Sequence, residues 1–290
     1  MPLPPLLKPY LFTTTMSCSA IILTKNEAVN LNRCMNSLDW CQEILVIDSG
    51  STDETLKIAE FLGAKIFMNI QPPPFIISEQ RNWALKHSSI MSDWVLFVDA
   101  DEVVPPDLAK EIQSICNEEN PTYDAYELTA RYLFWGKWLK RTQGYPNWHP
   151  RLLRKGSTHF EGGVWEHFAH GVRVGRLLTP YDHYANSKGC SDWLHRHDRY
   201  STWDAEKVVA FLESGDTKDL GTIRKRTLRL WAAKLWPLRP LARFIQMYFL
   251  RLGFLEGWKS LLFCLIYAMY ELITVIKIIE LQRKKSGLPL

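Results

Sequence analysis

The chain has 290 residues, enough to bury a sizeable core and to hold one large α/β domain with an appendage. Hydrophobic residues make up 47% and charged residues 23%, which excludes general disorder and a polytopic membrane protein. The formal net charge of +4 hides an asymmetry: residues 1–222 carry 22 Lys/Arg against 28 Asp/Glu, residues 223–290 carry 13 against three, and a tail that basic suggests an anionic partner, either membrane or nucleic acid.

Four of the sixteen prolines fall in the first fifteen residues, which have no apolar run behind a basic start. A signal peptide is therefore not expected there. Residues 1–17 read as an unstructured extension, and Met16, just before the first strand signal, is a candidate start. Residues 19–24 (SAIILT) are a nearly continuous apolar run, as in a strand buried on both faces. Residues 28–38 have helical spacing. Residues 43–48 (EILVID) form a second buried strand ending in an acid. A helix is expected over 51–63, with Ser51 and Glu54 as a capping box. Residues 65–68 give a short strand, followed by a proline-rich loop at Pro72–Pro74. A helix over 78–87 (SEQRNWALKH) precedes a fourth buried strand at 94–98 (WVLFV), which runs straight into Asp99-Ala100-Asp101-Glu102. This strand–helix alternation implies a parallel sheet with helices on both faces.

After Asn120 the pattern changes. Residues 125–134 look like a strand with mixed faces. Residues 135–170 are loop-rich and carry Trp135, Trp138, Trp148 and Trp165. These could stack on sugar rings, although core packing is expected for at least half of them. The chain reads as helical from Asp192 onward. The six cysteines, Cys18, Cys34, Cys41, Cys116, Cys190 and Cys264, contain no C-x-x-C pair and read as reduced thiols in a cytosolic setting. His167/His170 and His195/His197 lack the spacing of a zinc motif and read as structural or surface histidines.

Ligands of open α/β sheets bind outside the carboxyl ends of the strands. Three acidic features fall at such ends: Asn26-Glu27, Asp48, and Asp99/Asp101. Carboxylates of this kind suit a hard cation, Mg²⁺ or Mn²⁺, able to bridge diphosphate oxygens. Asp48 could accept hydrogen bonds from a base or ribose, or be a turn acid after its strand. Asp53 sits where a helix dipole favours an anion, or is simply a helix-start residue. Asp99 and Asp101 could be no more than a loop before Pro105-Pro106.

SAIILTKNE, EILVIDSGSTDET, SEQRNWAL and DWVLFVDADE, in this order over about residues 19–107, resemble family 2 of the glycosyltransferases. The resemblance implies an α/β GT-A (Rossmann-like) mixed sheet with flanking helices and an inverting transfer from a nucleoside-diphosphate sugar, with UDP-sugar as the leading donor. It implies that Thr24, Asn26, Glu27, Asp48 and Asp53 line the nucleotide pocket and that Arg81 lies near the diphosphate. Asp101 would coordinate the metal with Asp99 in support. HPRLLRKG (149–156), GGVWEHF (162–168) and the segment 239–262 are similar to a subgroup that includes lipopolysaccharide core glycosyltransferases. Its usual Val-His-Glu is Val164-Trp165-Glu166 here. Inversion by direct displacement needs one base, and Glu166 is the candidate, with Asp101 and Glu102 as the other acids to consider and a surface acid beside His167 as the plainer reading of Glu166. A polyprenyl-phosphate sugar synthase, a nucleotidyltransferase and a non-catalytic sugar-binding protein are the rival readings.

The tail completes the expectations. Residues 223–259 carry nine Lys/Arg and one acid, with interleaved aromatics such as Trp231, Trp236 and Trp258. That composition fits an interfacial helix pair on anionic lipid, and the apolar stretch that follows argues against nucleic acid. Residues 261–279 are long enough to span a bilayer. Glu271 and Lys277 interrupt them, and basic clusters flank both ends, so an in-plane helix is favoured over a crossing. The expected organisation is an extension (1–17), a glycosyltransferase domain (18–222) and a helical membrane-associated region (223–290) at the cytoplasmic face of a membrane. The expected acceptor is a lipid-linked glycan, and homo-oligomerisation stays open.

Overall fold

The computed structural model describes residues 17–73, 75–162, 166–214 and 235–290. The expected extension up to residue 16, Pro74, Val164 and Trp165, and the basic stretch 223–234 with Trp231 lie outside them. The chain forms two compact units, Met1–Thr129 with Trp148–Tyr181, and Ala130–Asn147 with Asp182–Leu290.

The first unit is built on the expected strands: β1 (Cys18–Thr24), β2 (Glu43–Asp48), β3 (Lys65–Met68) and β4 (Trp94–Asp99). They lie in the order β3-β2-β1-β4, all parallel. β1, β2 and β4 are apolar almost throughout because both sheet faces are covered by helices, as a parallel sheet requires. Two short strands, β5 (Glu102–Val103) and β7 (Lys137–Trp138), flank the long β6 (Ala125–Phe134) in sequence. β8 (Trp148–Arg154) then runs antiparallel to both β4 and β6, which makes the sheet mixed. The hairpin of β9 (Phe160–Glu161) and β10 (His167–Phe168) lies beyond, and β11 (Val174–Arg176) runs parallel to β6. This is the expected α/β class.

Helices α1 (Ala28–Asn36), α2 (Thr55–Phe61), α3 (Ile77–His87) and α4 (Pro106–Cys116) flank the sheet. On α4 the buried positions Leu108, Ala109, Ile112, Ile115 and Cys116 recur at helical spacing, and Pro106 opens the helix where no N–H is needed. One core cluster joins Ile21, Leu45, Ile47, Val95, Phe97, Leu153 and Phe160 across four strands and the hairpin.

The capping box expected at Ser51 does not form. α2 begins at Thr55, four residues later, and its N-cap has no side-chain hydrogen bond. Ser51 is diverted to the sheet, where its hydroxyl donates to Asp48 and accepts the backbone N–H of Asn26. The tryptophans differ from expectation as well. Trp135 is exposed and Trp138 and Trp148 are half-buried, while Trp94 on β4 and Trp193 further along the chain are buried. The cysteines are all free.

The second unit contains β7, α5 (Gly189–Ser214), α6 (Arg239–Phe244) and α7 (Trp258–Lys285), with β12 (Tyr181–His183) leading into it. Glu256 is buried and ties the unit's two chain segments together. Its carboxylate accepts the N–H groups of Arg141 (2.8 Å) and Thr142 (2.9 Å). On α5, His197 stacks on Trp193 with ring centroids 3.7 Å apart and hydrogen-bonds the Trp193 carbonyl through Nδ1.

Burial pushes His197 down from 6.5 to about 4. The folded state therefore binds this proton less readily than the unfolded chain does. Stability from this site is present above about pH 6.5 and lost as the pH falls towards 4. Thermal melts should show a decline over that window that is shallower in His197→Phe than in the natural protein.

Candidate active site

The parallel register aligns the strand ends. Thr24 is opposite Asp48, and Leu23 is opposite Asp99. The loops that follow are stitched to each other. Asp48 is wholly buried and both its oxygens are engaged: Oδ1 accepts the hydroxyls of Thr24 (2.8 Å) and Ser51, and Oδ2 accepts the N–H groups of Gly50 (2.8 Å) and Ser51 (2.7 Å). Gly50 permits this tight return because its φ is +84° and a Cβ would press on Ile70 at 3.1 Å. Asn26, itself left-handed at φ 54°, accepts the Thr52 N–H at 2.8 Å. The Glu27 N–H donates to the Thr55 hydroxyl, and the Ala28 N–H to Asp53 Oδ2. Burial works against the Asp53 charge, but hydrogen bonds from Thr55 and Ala28 outweigh it and hold the carboxyl below its ordinary value. Thr24, Asn26, Glu27, Asp48 and Asp53 thus form one rigid loop pair, whose exposed members are Asn26 and Asp53.

Each polar residue at the buried side of α3 has a separate task. Gln80 reaches Ser49 and the Asn69 carbonyl, both at 3.1 Å, pinning the chain after β2 and β3. Asn82 behaves like a strand backbone: it donates to the Phe160 carbonyl and accepts the Phe160 N–H, both at 2.8 Å. Ser78 donates to the Gly162 carbonyl. Those contacts hold the β9–β10 hairpin against α3 and fix the segment that carries Glu166.

Arg81, fully buried, turns to the strand end. Its Nη2 donates to Asp99 Oδ1 at 3.1 Å, and its Nε lies 2.9 Å from Glu166 Oε2. Its Nη1 has no hydrogen-bond partner; the guanidinium lies over the rings of Phe97 (5.2 Å) and Phe160 (5.5 Å).

The residue missing from the expected set is Arg151. β8 runs back along β4 with Leu152 opposite Leu96, so Arg151 arrives beside the carboxyl end of β4. Its Nη2 donates to Asp99 Oδ2 (2.8 Å) and Glu102 Oε1 (2.7 Å), and its Nη1 to Glu166 Oε1 (3.2 Å). Burial disfavours its charge, yet Asp99, Glu102, Tyr181 and Glu166 around it raise its affinity for the proton well above the usual. Glu102 is buried and also accepts the Asp99 N–H at 2.9 Å, which fixes the turn leading to Asp101. The Cys34 thiol below is pushed well up by its burial, reinforced by the carboxylates of Glu102, Asp101 and Asp99, so it is held as an inert thiol. Arg81 and Arg151 each touch both Asp99 and Glu166. Asp99, Glu102 and Glu166 therefore sit around two guanidiniums with a formal excess of one negative charge. The sequence signal for Arg151 was slight: one cation inside the four-residue buried run Pro150–Leu153 of β8.

Residues 19–177, which carry this mixed α/β sheet and the acids at its strand ends, match glycosyl transferase family 2. The chain belongs to that family and is a glycosyltransferase. It is 25% identical to an uncharacterized glycosyltransferase of Rickettsia prowazekii over 93% of this chain and 89% of that one. It is 27% identical to the lipopolysaccharide core biosynthesis glycosyltransferase LpsC of Rhizobium meliloti over 92% and 94%. Among solved structures it is similar to TarS of S. aureus (16% identical, TM-score 0.43, covering 94% of this chain and 92% of that one). Glucosyl-3-phosphoglycerate synthase of Mycobacterium tuberculosis matches at 15% identity and a TM-score of 0.42, over 63% and 76%.

Replacing Arg151 by Met would strand Glu102 in the interior. Removing one partner of a buried ion pair costs about 3–5 kcal/mol. Arg151→Met should lower the melting temperature by roughly 10 °C, and Glu102→Gln added to it should restore part of the loss. Arg173→Met, which breaks a solvent-exposed pair with Asp124, should leave the melting temperature unchanged.

Proposed function

We propose that the protein transfers a sugar from a nucleoside-diphosphate sugar to a lipid-linked glycan, with inversion, and with Glu166 as the base. The observation that carries this reading is the arrangement of Glu166 and Asp99 about the same two arginines, at the carboxyl ends of β1, β2 and β4. The nucleotide belongs over the stitched loop pair, where Asn26 and Asp53 are exposed. Asp48 supports that loop from beneath, its oxygens being filled by Thr24, Gly50 and Ser51.

A metal fits this site in one particular way. Among the described residues no group of three or more His, Cys, Asp or Glu could hold an ion. A hard divalent ion needs no such cage when it takes its other ligands from water and diphosphate oxygens. Asp101, partly exposed, would hold Mg²⁺ or Mn²⁺, with Asp99 behind it. When bound, the ion would neutralise charge on the departing nucleoside diphosphate. The protein's own residues do the rest. Glu166 takes the proton of the acceptor hydroxyl as its oxygen bonds to the anomeric carbon. The bond from that carbon to the diphosphate oxygen breaks, and its electron pair leaves with the diphosphate. Arg151 and Arg81 fix where Glu166 stands relative to the donor side.

A lipopolysaccharide core or related surface glycan is the acceptor we favour, supported by the likeness to LpsC over nearly the whole of both chains. Such an acceptor would place the enzyme at the cytoplasmic face of an anionic membrane, as a peripheral protein.

The test is release of nucleoside diphosphate from UDP-, GDP- and ADP-sugars, and of CMP from CMP-sugars, in the presence of acceptor lipid extract, with Mn²⁺, with Mg²⁺ and with chelator. Metal-dependent release that Asp101→Asn abolishes is the expected result. Glu166→Gln should lower kcat about 10²–10⁴-fold while donor binding, read by calorimetry, persists. Full turnover by Glu166→Gln would move the base elsewhere.

A further inference from the structure

The helix α7 is long and apolar enough to cross a membrane by length and composition. Its packing says something more specific. One side of it is committed to protein through charged partners. Glu271, buried, accepts from Arg239 Nε (2.6 Å) and Arg243 Nε (2.9 Å) of α6. Lys277 Nζ donates to Asp198 Oδ1 (2.6 Å) and the Thr202 hydroxyl (2.7 Å) of α5. The Tyr270 hydroxyl donates to Asp204 of α5. Ile278 packs with Ala205 and Val209 of the same helix. α5 cannot enter hydrocarbon beside α7: it carries Asp192, Arg196, Asp198, Arg199, Asp204 and Glu206 within four turns, and each such charge is costly there. A crossing α7 would have to shed α5 and leave Lys277 and the Tyr270 hydroxyl facing lipid without their partners.

Among the described residues, the other side of α7 is largely uncovered, apart from Trp258 beside Trp135. Its exposed large apolar residues are Trp258, Leu265, Met269, Leu272, Ile276 and Ile279. From Leu265 the spacing is four, three, four, three, a single straight stripe on one helix face. It covers about 30 Å from Trp258 to Ile279 at the helical rise. Leu238, Leu241, Ile245 and Phe249 repeat the pattern along α6 and the turn after it. Basic residues bracket the α7 stripe: Lys259 at its start and Arg283, Lys284 and Lys285 in its last turn. The segment 223–290 as a whole has ten more cations than anions.

We propose that α7 lies flat on an anionic bilayer and does not cross it, inserting the Leu265–Ile279 stripe while its opposite side stays bonded to α5 and α6. The occupant is lipid because an apolar stripe capped at both ends by cations matches the layered chemistry of acyl chain and anionic headgroup. A second copy of this chain would bring the same cations face to face. This deepens the membrane reading above and rests on it.

The test uses the full chain and sedimentation with vesicles of equimolar phosphatidylglycerol and phosphatidylcholine, or of phosphatidylcholine alone. The natural protein should bind the anionic vesicles, bind neutral ones more weakly, and be released by alkaline carbonate. L272E/I276E should lose roughly a hundredfold in partition, about tenfold for each buried aliphatic side chain removed. Its circular dichroism, melting temperature and donor binding should stay unchanged. Phe61→Glu, which removes an exposed apolar residue on α2 of the other unit, should bind as the natural protein does. Failure of the natural protein to bind any vesicle overturns the membrane reading itself. Binding that L272E/I276E leaves intact, or that carbonate does not reverse, overturns the in-plane stripe alone. A solution dimer that L272E/I276E splits, without vesicle binding, assigns the stripe to a second copy instead.

Discussion

Two guanidiniums in the interior of the first unit set the terms for everything around them. Transferring a cation from water to a protein interior is costly by several kcal/mol even after relaxation. Arg81 and Arg151 persist there because Asp99, Glu102 and Glu166 surround them. Their geometry then follows from planarity. A forked cation with five donors fixes the directions in which carboxylates can approach, which an ammonium would not. The turn at Asp99–Glu102, the end of β8 and the β9–β10 hairpin are therefore located by one ionic lattice more than by local preference. A hairpin with only two residues in each strand has little stability of its own. Here it stays in place because Asn82 substitutes for a neighbouring strand and because Glu166 is ionically anchored.

The sheet was legible in the sequence and the lattice was not. SAIILT, EILVID and WVLFV announce buried parallel strands by their apolar continuity, and their carboxyl ends announce the site by position alone. Arg81 came forward only through the likeness of SEQRNWAL to the family's motif. Arg151 is 52 residues from Asp99 and 70 from Arg81 in the chain, and only the antiparallel return of β8 brings it there. No local pattern encodes such a pairing. Ser51 shows the reverse error. Its spacing to Glu54 is that of a capping box, but Asp48 and Asn26 compete for the same hydroxyl and win because the loop is anchored to the sheet before the helix can start. Tertiary bonds overrode a local signal.

Asp48 illustrates how a strand-end acid can matter without pointing at a ligand. Four hydrogen bonds fill its two oxygens, and through them it sets the path of Gly50 and Ser51. Asn26 then reads that path through Ser51 and Thr52. The exposed groups of the loop pair are thus placed at second hand by a buried one. Sequence position marks the whole set, while burial separates the acid that organises from the exposed Asn26 and Asp53.

The second unit uses the same device to opposite effect. Glu271, like Glu102, is a buried carboxylate satisfied by arginine, but its partners Arg239 and Arg243 come from a neighbouring helix and its own helix is mostly apolar between Lys259 and Lys277. In the first unit the ion pairs gather acidic groups at a strand end. In the second they commit one side of α7 to protein and so leave the other side as a continuous apolar surface. Hydropathy averaged around the helix cannot distinguish this from a membrane span, because the average discards the side on which each charge falls. What separates the two is where Glu271 and Lys277 find their partners, and both find them on α5 and α6.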